Sequence, residues 1–212
     1  AWAWHLRKYA GVDTETGEAM WYLNGKDGET TTSYYQAEKA YQGGSALPTY
    51  SGGASFHVDY KGISLDANLM FSGGNKILER WAEYYMHPGL YTTGLYQGME
   101  ELMTRWQEPG DQADVPMVGY FFNNLSAEPS SRFLYEGDFV RLKGLTLGYN
   151  LPSSIFTDID ISGAKIYVRA SNYFTWVKDD GLKYDPEVRA NGYTRLTTPP
   201  TKSIVLGLNL KF

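Results

Sequence analysis

From Ser203 to Phe212 the chain alternates, with Ile204, Leu206, Leu208, Leu210 and Phe212 on one side and Ser203, Val205, Gly207, Asn209 and Lys211 on the other. A period of two sends successive side chains to opposite faces, so this segment reads as a β-strand with one greasy face. Tyr50 to Tyr60 repeats the pattern, setting Tyr50, Gly52, Ala54, Phe56, Val58 and Tyr60 against Ser51, Gly53, Ser55, His57 and Asp59. Ile63 to Phe71 sets Ile63, Leu65, Ala67, Leu69 and Phe71 against Ser64, Asp66, Asn68 and Met70. In Ala164 to Trp176 the even positions run Ala164, Ile166, Val168, Ala170, Asn172, Phe174 and Trp176, opposite Lys165, Tyr167, Arg169, Ser171, Tyr173 and Thr175. Phe139 to Leu151 changes phase midway, from Val140 and Leu142 to Leu145, Leu147, Tyr149 and Leu151. One extra residue around Lys143-Gly144 restores a single face, which predicts a β-bulge there. Trp2, Trp4 and Leu6, continuing to Tyr9, make a sixth and less regular candidate.

The connections alternate between short and long. Tyr60-Lys61-Gly62 is a tight turn and Pro152 to Gly163 a medium one, whereas Gly11 to Thr49, Ser72 to Asp138 and Val177 to Lys202 are long. Loops beyond about 15 residues are rare in compact soluble domains, but outer-membrane barrels pair short periplasmic turns with long extracellular loops. The apolar faces run about 9–13 residues, enough for a tilted strand to cross a bilayer. Tyr50, Tyr60, Phe71, Tyr149, Phe174, Trp176 and Phe212 stand at strand ends, as membrane-interface aromatics do. The opposite faces carry Asp59, Asp66, Arg141, Lys143, Lys165, Arg169 and Lys211. Of these, Asp66, Lys165 and Arg169 are expected to face the lumen, since Arg169 at the lipid midplane would cost about 2–4 kcal/mol. The fold class read here is all-β, an antiparallel transmembrane β-barrel with long extracellular loops. Six strands do not close such a barrel, and an open sheet would leave backbone unpaired in lipid. Residues 1–212 are therefore expected to be the C-terminal part of a larger barrel.

Composition narrows the function. With 18 Tyr, 9 Phe, 6 Trp and 23 Gly, the chain favours β structure with many turns. A net charge of −5 argues against a general nucleic-acid binder. The absence of cysteine excludes disulfides, thiolate zinc sites and cysteine nucleophiles. No apolar run is long enough for a membrane helix, and the N-terminus lacks the pattern of a signal peptide. His5, His57 and His87 share no zinc spacing, and Asp13-Thr14-Glu15-Thr16-Gly17-Glu18 only loosely resembles a calcium loop. No Ser/His/Asp or paired-acid constellation stands out. Neither metal nor cofactor nor enzymatic activity is expected. Two rival classes remain: a secreted soluble carbohydrate-binding β domain, and a barrel enzyme with its site in the loops.

Three stretches carry a closer resemblance. They are Ser45-Ala46-Leu47-Pro48-Thr49-Tyr50-Ser51-Gly52-Gly53 with Tyr60-Lys61-Gly62-Ile63-Ser64-Leu65 and Gly73-Gly74-Asn75-Lys76-Ile77; Gly137-Asp138-Phe139-Val140-Arg141-Leu142-Lys143 through Thr146 to Pro152; and Val168 to Trp176 with Tyr184-Asp185-Pro186-Glu187. In order and rough spacing these resemble the C-terminal region of SusC/RagA-type TonB-dependent transporters of the Bacteroidetes outer membrane. The resemblance implies about the last six strands of a 22-stranded barrel, with the plug domain and TonB-contacting segment upstream of this chain. It implies import of oligosaccharides, in some members peptides, driven through TonB. It further implies a SusD-like lid lipoprotein, dimers of such pairs, and contact with outer-membrane lipid and the upstream part of the barrel.

A saccharide site wants flat aromatic faces beside polar groups. The long connectors offer Trp21, Tyr22, Tyr34, Tyr35, Tyr41, Trp81, Tyr84, Tyr85, Tyr91, Tyr96, Trp106, Tyr120, Phe121 and Phe122. Among them Trp81, Tyr84, Tyr85 and Trp106 are the favoured ligand-binding candidates, because 77–85 and 96–106 both allow short helices carrying an aromatic stripe.

Overall fold

The computed structural model describes residues 3–89, 97–119, 124–157, 161–188, 190–194 and 198–212, with Glu83 described in its backbone alone. Trp2, Tyr91, Tyr96, Tyr120, Phe121 and Phe122, named above, lie outside the described residues. The strands are β1 (Ala3–Leu6), β2 (Tyr9–Val12), β3 (Ala19–Tyr22), β4 (Thr30–Thr31), β5 (Ala40–Ser45), β6 (Tyr50–Tyr60), β7 (Ile63–Gly73), β8 (Lys76–Leu78), β9 (Leu134–Glu136), β10 (Phe139–Leu151), β11 (Gly163–Val177) and β12 (Ser203–Lys211). One helical turn, α1 (Ala82–Tyr85), follows β8, and 3-10 turns cover Glu100–Thr104, Ser131–Phe133 and Ser153–Ile155.

The chain divides into two compact units. One comprises Pro48–Gly74, Gly137–Asp180 and Thr198–Phe212 and contains a single antiparallel sheet in the order β12-β11-β10-β7-β6. These are the five clearest strands of the sequence pattern. The bulge lies where the phase change predicts it: the register of β10 slips between Leu142 and Gly144, Lys143 standing as the extra residue against β7 and facing the two residues Asn172 and Tyr173 of β11. Asn172, at φ +57, marks the companion irregularity on β11. β6 and β7 join through a two-residue hairpin, Tyr60 pairing Ile63, with Lys61 at φ +47 and Gly62 at φ +84. That left-handed pair matches the twist of the strands it connects.

Register makes the faces explicit. Val58, Leu65, Leu147, Val168 and Leu206 stand side by side across all five strands, as do Tyr60, Ile63, Tyr149, Ile166 and Leu208. The opposite face carries His57, Asp66, Thr146, Arg169 and Val205 in one row. A soluble sandwich would bury the apolar rows under a second sheet. Here Leu206 is 80% exposed, Leu208 57% and Ile166 48%, and every residue of β6 is exposed.

The other unit, Ala1–Leu47, Asn75–Glu136 and Gly181–Thr197, is built from the three long connectors and the N-terminal stretch. They do not hang as open loops. Trp4, Leu6, Ala46, Leu78, Ala82 and Phe133 form one buried cluster, and Ala19, Trp21, Tyr34 and Ala37 another. Trp4 meets Tyr193 edge-on at 5.3 Å, and Trp21 meets Tyr34 at 5.4 Å, the geometry aromatic quadrupoles favour. The sixth strand candidate belongs here: Ala3–Leu6 pairs with β5 in a two-stranded sheet, because Trp4 and Leu6 are needed in the first cluster. Ile77 and Leu78, expected to start a helix, are instead buried strand residues paired with β9.

Candidate functional site

The sheet unit presents a wall with two chemistries. Its apolar face carries Tyr50, Phe71, Phe174 and Trp176 toward one end and Tyr60, Tyr149 and Phe212 toward the other, all exposed. From Tyr50 to Tyr60 the strand climbs about 33 Å at roughly 3.3 Å per residue. With a tilt near 40° that is a band of about 25 Å, the height of a lipid-facing apolar belt.

On the polar face, His57 sits between two carboxylates: Nδ1 is 2.6 Å from Asp66 Oδ1 and Nε2 is 2.6 Å from Asp59 Oδ2. Asp66 and Asp59 reach it because Asp66 is its cross-strand partner and Asp59 is two residues on, on the same face. The side chain of Lys165 lies over Gly148, and the guanidinium of Arg169 lies near Gly144. Asp66, Lys165 and Arg169 thus share one face, with Arg141 buried further along it.

In the loop unit, α1 gathers three of the four aromatic candidates. Trp81 immediately precedes the turn, so Trp81, Tyr84 and Tyr85 fall at spacings of three and four on one side. Ala82 faces the other way into the core and anchors the turn. Trp81 and Tyr85 stack with planes 21° apart and centroids 6.4 Å apart, and Tyr84 tilts against Trp81 at 5.5 Å. The row continues into Tyr184, stacked on Tyr85 at 6.0 Å and 20°, the two phenols hydrogen-bonded through their hydroxyls. Sequence reasoning missed Tyr184 as a site residue. Its only signal was its place in the Tyr184-Asp185-Pro186-Glu187 motif, since it lies 99 residues from Tyr85.

Beneath this row lies Glu79, buried, whose Oε1 accepts hydrogen bonds from the Trp81 amide at 2.5 Å and the Thr194 hydroxyl at 3.0 Å. Burial pushes its carboxyl above the usual range, against the pull of those two bonds. Burial and the neighbouring Glu79 push the Tyr184 phenol up to about 12, so it stays protonated. Burial also holds His87 below its ordinary value.

Trp106 is placed elsewhere in the unit. Its indole N–H donates to the Thr14 carbonyl at 2.9 Å, and its ring covers Gly17, which at φ +73 has no β-carbon to obstruct it. In the adjoining loop, Asp13 Oδ1 accepts the amides of Glu15 and Thr16, so this carboxylate serves the turn itself. Trp21 and Tyr34 are core, while Tyr35 and Tyr41 are exposed. Among the described residues no group of three or more His, Asp or Glu side chains is arranged to hold a metal ion. A cavity of about 380 Å³ lined by Leu23, Asn24, Asp27, Gly28, Glu29 and Glu38 lies in this unit, with none of the four aromatic candidates in its lining.

An antiparallel sheet with an exposed apolar face, a charged opposite face and elaborate connections on the long-loop side is a section of outer-membrane β-barrel wall. Comparison with known proteins points the same way. No protein-family profile matches the chain. It is similar to TonB-dependent receptor P3 of Formosa agariphila, 25% identical over 183 residues, and to TonB-dependent receptor P26 of the same organism, 28% identical over 182 residues. Each match covers 80% of this chain and 17% of the relative. Among solved structures it is similar to the RagAB peptide transporter, at a TM-score of 0.80 and 30% identity, over 99% of this chain and 23% of that one. The RagAB peptide importer in its open-open state gives 0.79 and 31%, over 99% and 22%. The chain is thus similar to TonB-dependent receptors and to the RagAB structures, and it spans about a fifth of their length.

Proposed function

We propose that these residues form the C-terminal portion of the β-barrel of a TonB-dependent importer in a bacterial outer membrane, working as the SusC-like half of a nutrient-uptake complex. The plug domain and the segment that meets TonB belong to the upstream part of the protein. A SusD-like lipoprotein caps the loop side, and the pairs assemble as dimers. The observation that carries this reading is the exposed apolar face, five strands wide and bounded by aromatics, set back to back with a charged face.

The favoured cargo is a glycan oligosaccharide. The near-parallel row of Trp81, Tyr85 and Tyr184, with Tyr84 tilted beside it, offers the flat apolar surface a sugar ring needs. Trp106, held by the Thr14 carbonyl, is a separate ligand-binding candidate in the same unit. Peptide import is the second reading, favoured by the two RagAB structures, which are named as a peptide transporter and importer.

Uptake by cells expressing the full-length protein with its lid partner tests both. Labelled oligosaccharides are expected to accumulate only when TonB is present. Accumulation of labelled peptides alone would transfer the assignment to the second reading, and uptake indifferent to TonB would reject the importer.

A further inference from the structure

The aromatic row of the loop unit adjoins a carboxylate that no cation balances. Glu79 is 6% exposed, and its Oε1 accepts the two hydrogen bonds described above. Oε2 is buried without a hydrogen-bond partner, and among the described residues Glu79 enters no ion pair. Arg80, next in sequence, turns its guanidinium over Tyr193 at 5.7 Å instead. Burial without a counter-charge holds the Glu79 carboxyl above its ordinary range.

The rings of the row match it in lacking a cation. Elsewhere in this unit Arg7 lies over Tyr34 at 4.2 Å, Lys8 over Tyr22 at 5.3 Å and Arg132 over Phe133 at 4.9 Å. Among the described residues no lysine or arginine head lies over Trp81, Tyr85 or Tyr184. An aromatic face is the negative part of the ring's quadrupole, and an anion close to it adds to its attraction for a cation. The surroundings have the same sign. Of the chain's 19 Lys and Arg and 24 Asp and Glu, the loop unit holds 11 and 17, a net charge of −6, whereas the sheet unit holds 8 and 7, a net +1. Charge of one sign raises the local concentration of solutes of the other.

We propose that the row of Trp81, Tyr85 and Tyr184 receives an ammonium group of the cargo, with the Glu79 carboxylate as its counter-charge. This rests on the reading of the row as the cargo site and narrows that cargo to molecules bearing an amine. A neutral sugar ring gains only apolar contact from these faces, and it leaves Glu79 a buried charge without a partner. A cation gains from the faces and the acid together, because charges in a low-dielectric setting screen each other weakly. Two sources carry such a group: a glycan of amino sugars with free amines, and a peptide with lysine side chains. Acetylation of the amine removes the charge from either and keeps the rest of the ligand.

Calorimetry on the full-length protein with its lid partner tests this with two matched pairs, at a pH where the free amines are charged. One pair is chitosan tetramer and chitin tetramer; the other is N-terminally blocked tetralysine and its side-chain-acetylated form. The charged member of at least one pair is expected to bind about tenfold tighter. A preference in the sugar pair alone assigns the site to amino-sugar glycans, and one in the lysine pair alone to peptides. Glu79→Gln keeps an acceptor for the Trp81 amide and the Thr194 hydroxyl, and in it the preference is expected to fall to about twofold or less. Equal affinities within both pairs, or tighter binding of the acetylated forms, would overturn the proposal without any variant. So would a preference that survives undiminished in Glu79→Gln. Trp81→Ala separates the two levels of inference. If it weakens chitin tetramer while neither pair shows a preference, the cargo site stands and the ammonium proposal alone falls. If it leaves every probe unchanged, the cargo site falls and takes the proposal with it.

Discussion

The phenol ring of Tyr167 lies across Gly207 on the neighbouring strand, occupying the space where a β-carbon would stand. Glycine in a strand interior weakens it unless another group needs the room, and here the room is taken by an aromatic ring. Gly207→Val forces that ring away and is expected to destabilise the sheet by about 1–3 kcal/mol, the usual cost of overpacking. Adding Tyr167→Ala should recover much of the loss, since the two changes share one contact. Urea unfolding of the full-length barrel in detergent, followed by its heat-modifiable gel mobility, measures both. Equal stability of the single and double variants would show that the contact carries no energy.

Leu147 occupies the middle strand of the apolar face, in the row shared with Val58, Leu65, Val168 and Leu206. Leu147→Arg is expected to cost about 2–4 kcal/mol in a bilayer, the price of a cation near the lipid midplane. Ser203→Arg, on the polar face, should cost far less. Matched unfolding in lipid vesicles decides; equal losses would mean that the two faces meet similar surroundings.

Glu79 gives the loop unit a pH dependence of definite sign. Its carboxyl titrates above the ordinary 4.5 because burial disfavours the charged form. The folded state therefore holds the proton more tightly than the unfolded one. The resulting stabilisation is complete below the ordinary value and is lost as pH rises through the folded-state value. Thermal unfolding followed by tryptophan fluorescence should show Tm falling as pH climbs from 4.5, with Glu79→Gln flattening that slope. Parallel slopes for both proteins would remove Glu79 as the cause.

Truncating the aromatic row tests the cargo site. Trp81→Ala is expected to weaken oligosaccharide binding about tenfold, or roughly 1.4 kcal/mol, as one large stacking face is lost. Tyr184→Phe keeps the stack and removes only the hydroxyl, so a smaller loss is expected. Calorimetry on the purified complex separates them. Unchanged affinity in both variants would place the ligand elsewhere.

The sheet was legible in the sequence because its rule is local. Alternation between Ile204 and Phe212 needs no knowledge of distant residues, and the slip at Lys143 showed as a change of phase within one strand. The tight turn at Lys61-Gly62 was equally local. The loop unit obeys no such rule. Trp21 and Trp81 look alike in sequence, yet one is core and the other half-buried, and the difference lies in which remote segments close over them. Tyr184 joined the aromatic row, and Ala3–Leu6 left the main sheet for β5, through contacts that only folding brings together.

The inserted residue at Lys143 makes β10 tolerant of losing one codon there. Without it Leu142, Gly144 and Leu145 alternate regularly against Leu69, Asn68 and Ala67, and Leu145, Leu147 and Tyr149 keep their side of the wall. Loss of Thr146 instead has no unmatched residue to absorb it: Leu147 and Tyr149 would swing to the wet side and Gly148 would turn toward hydrocarbon. Two frame-preserving losses three positions apart thus leave composition almost equally untouched, yet only one of them inverts the end of a strand in the middle of the wall.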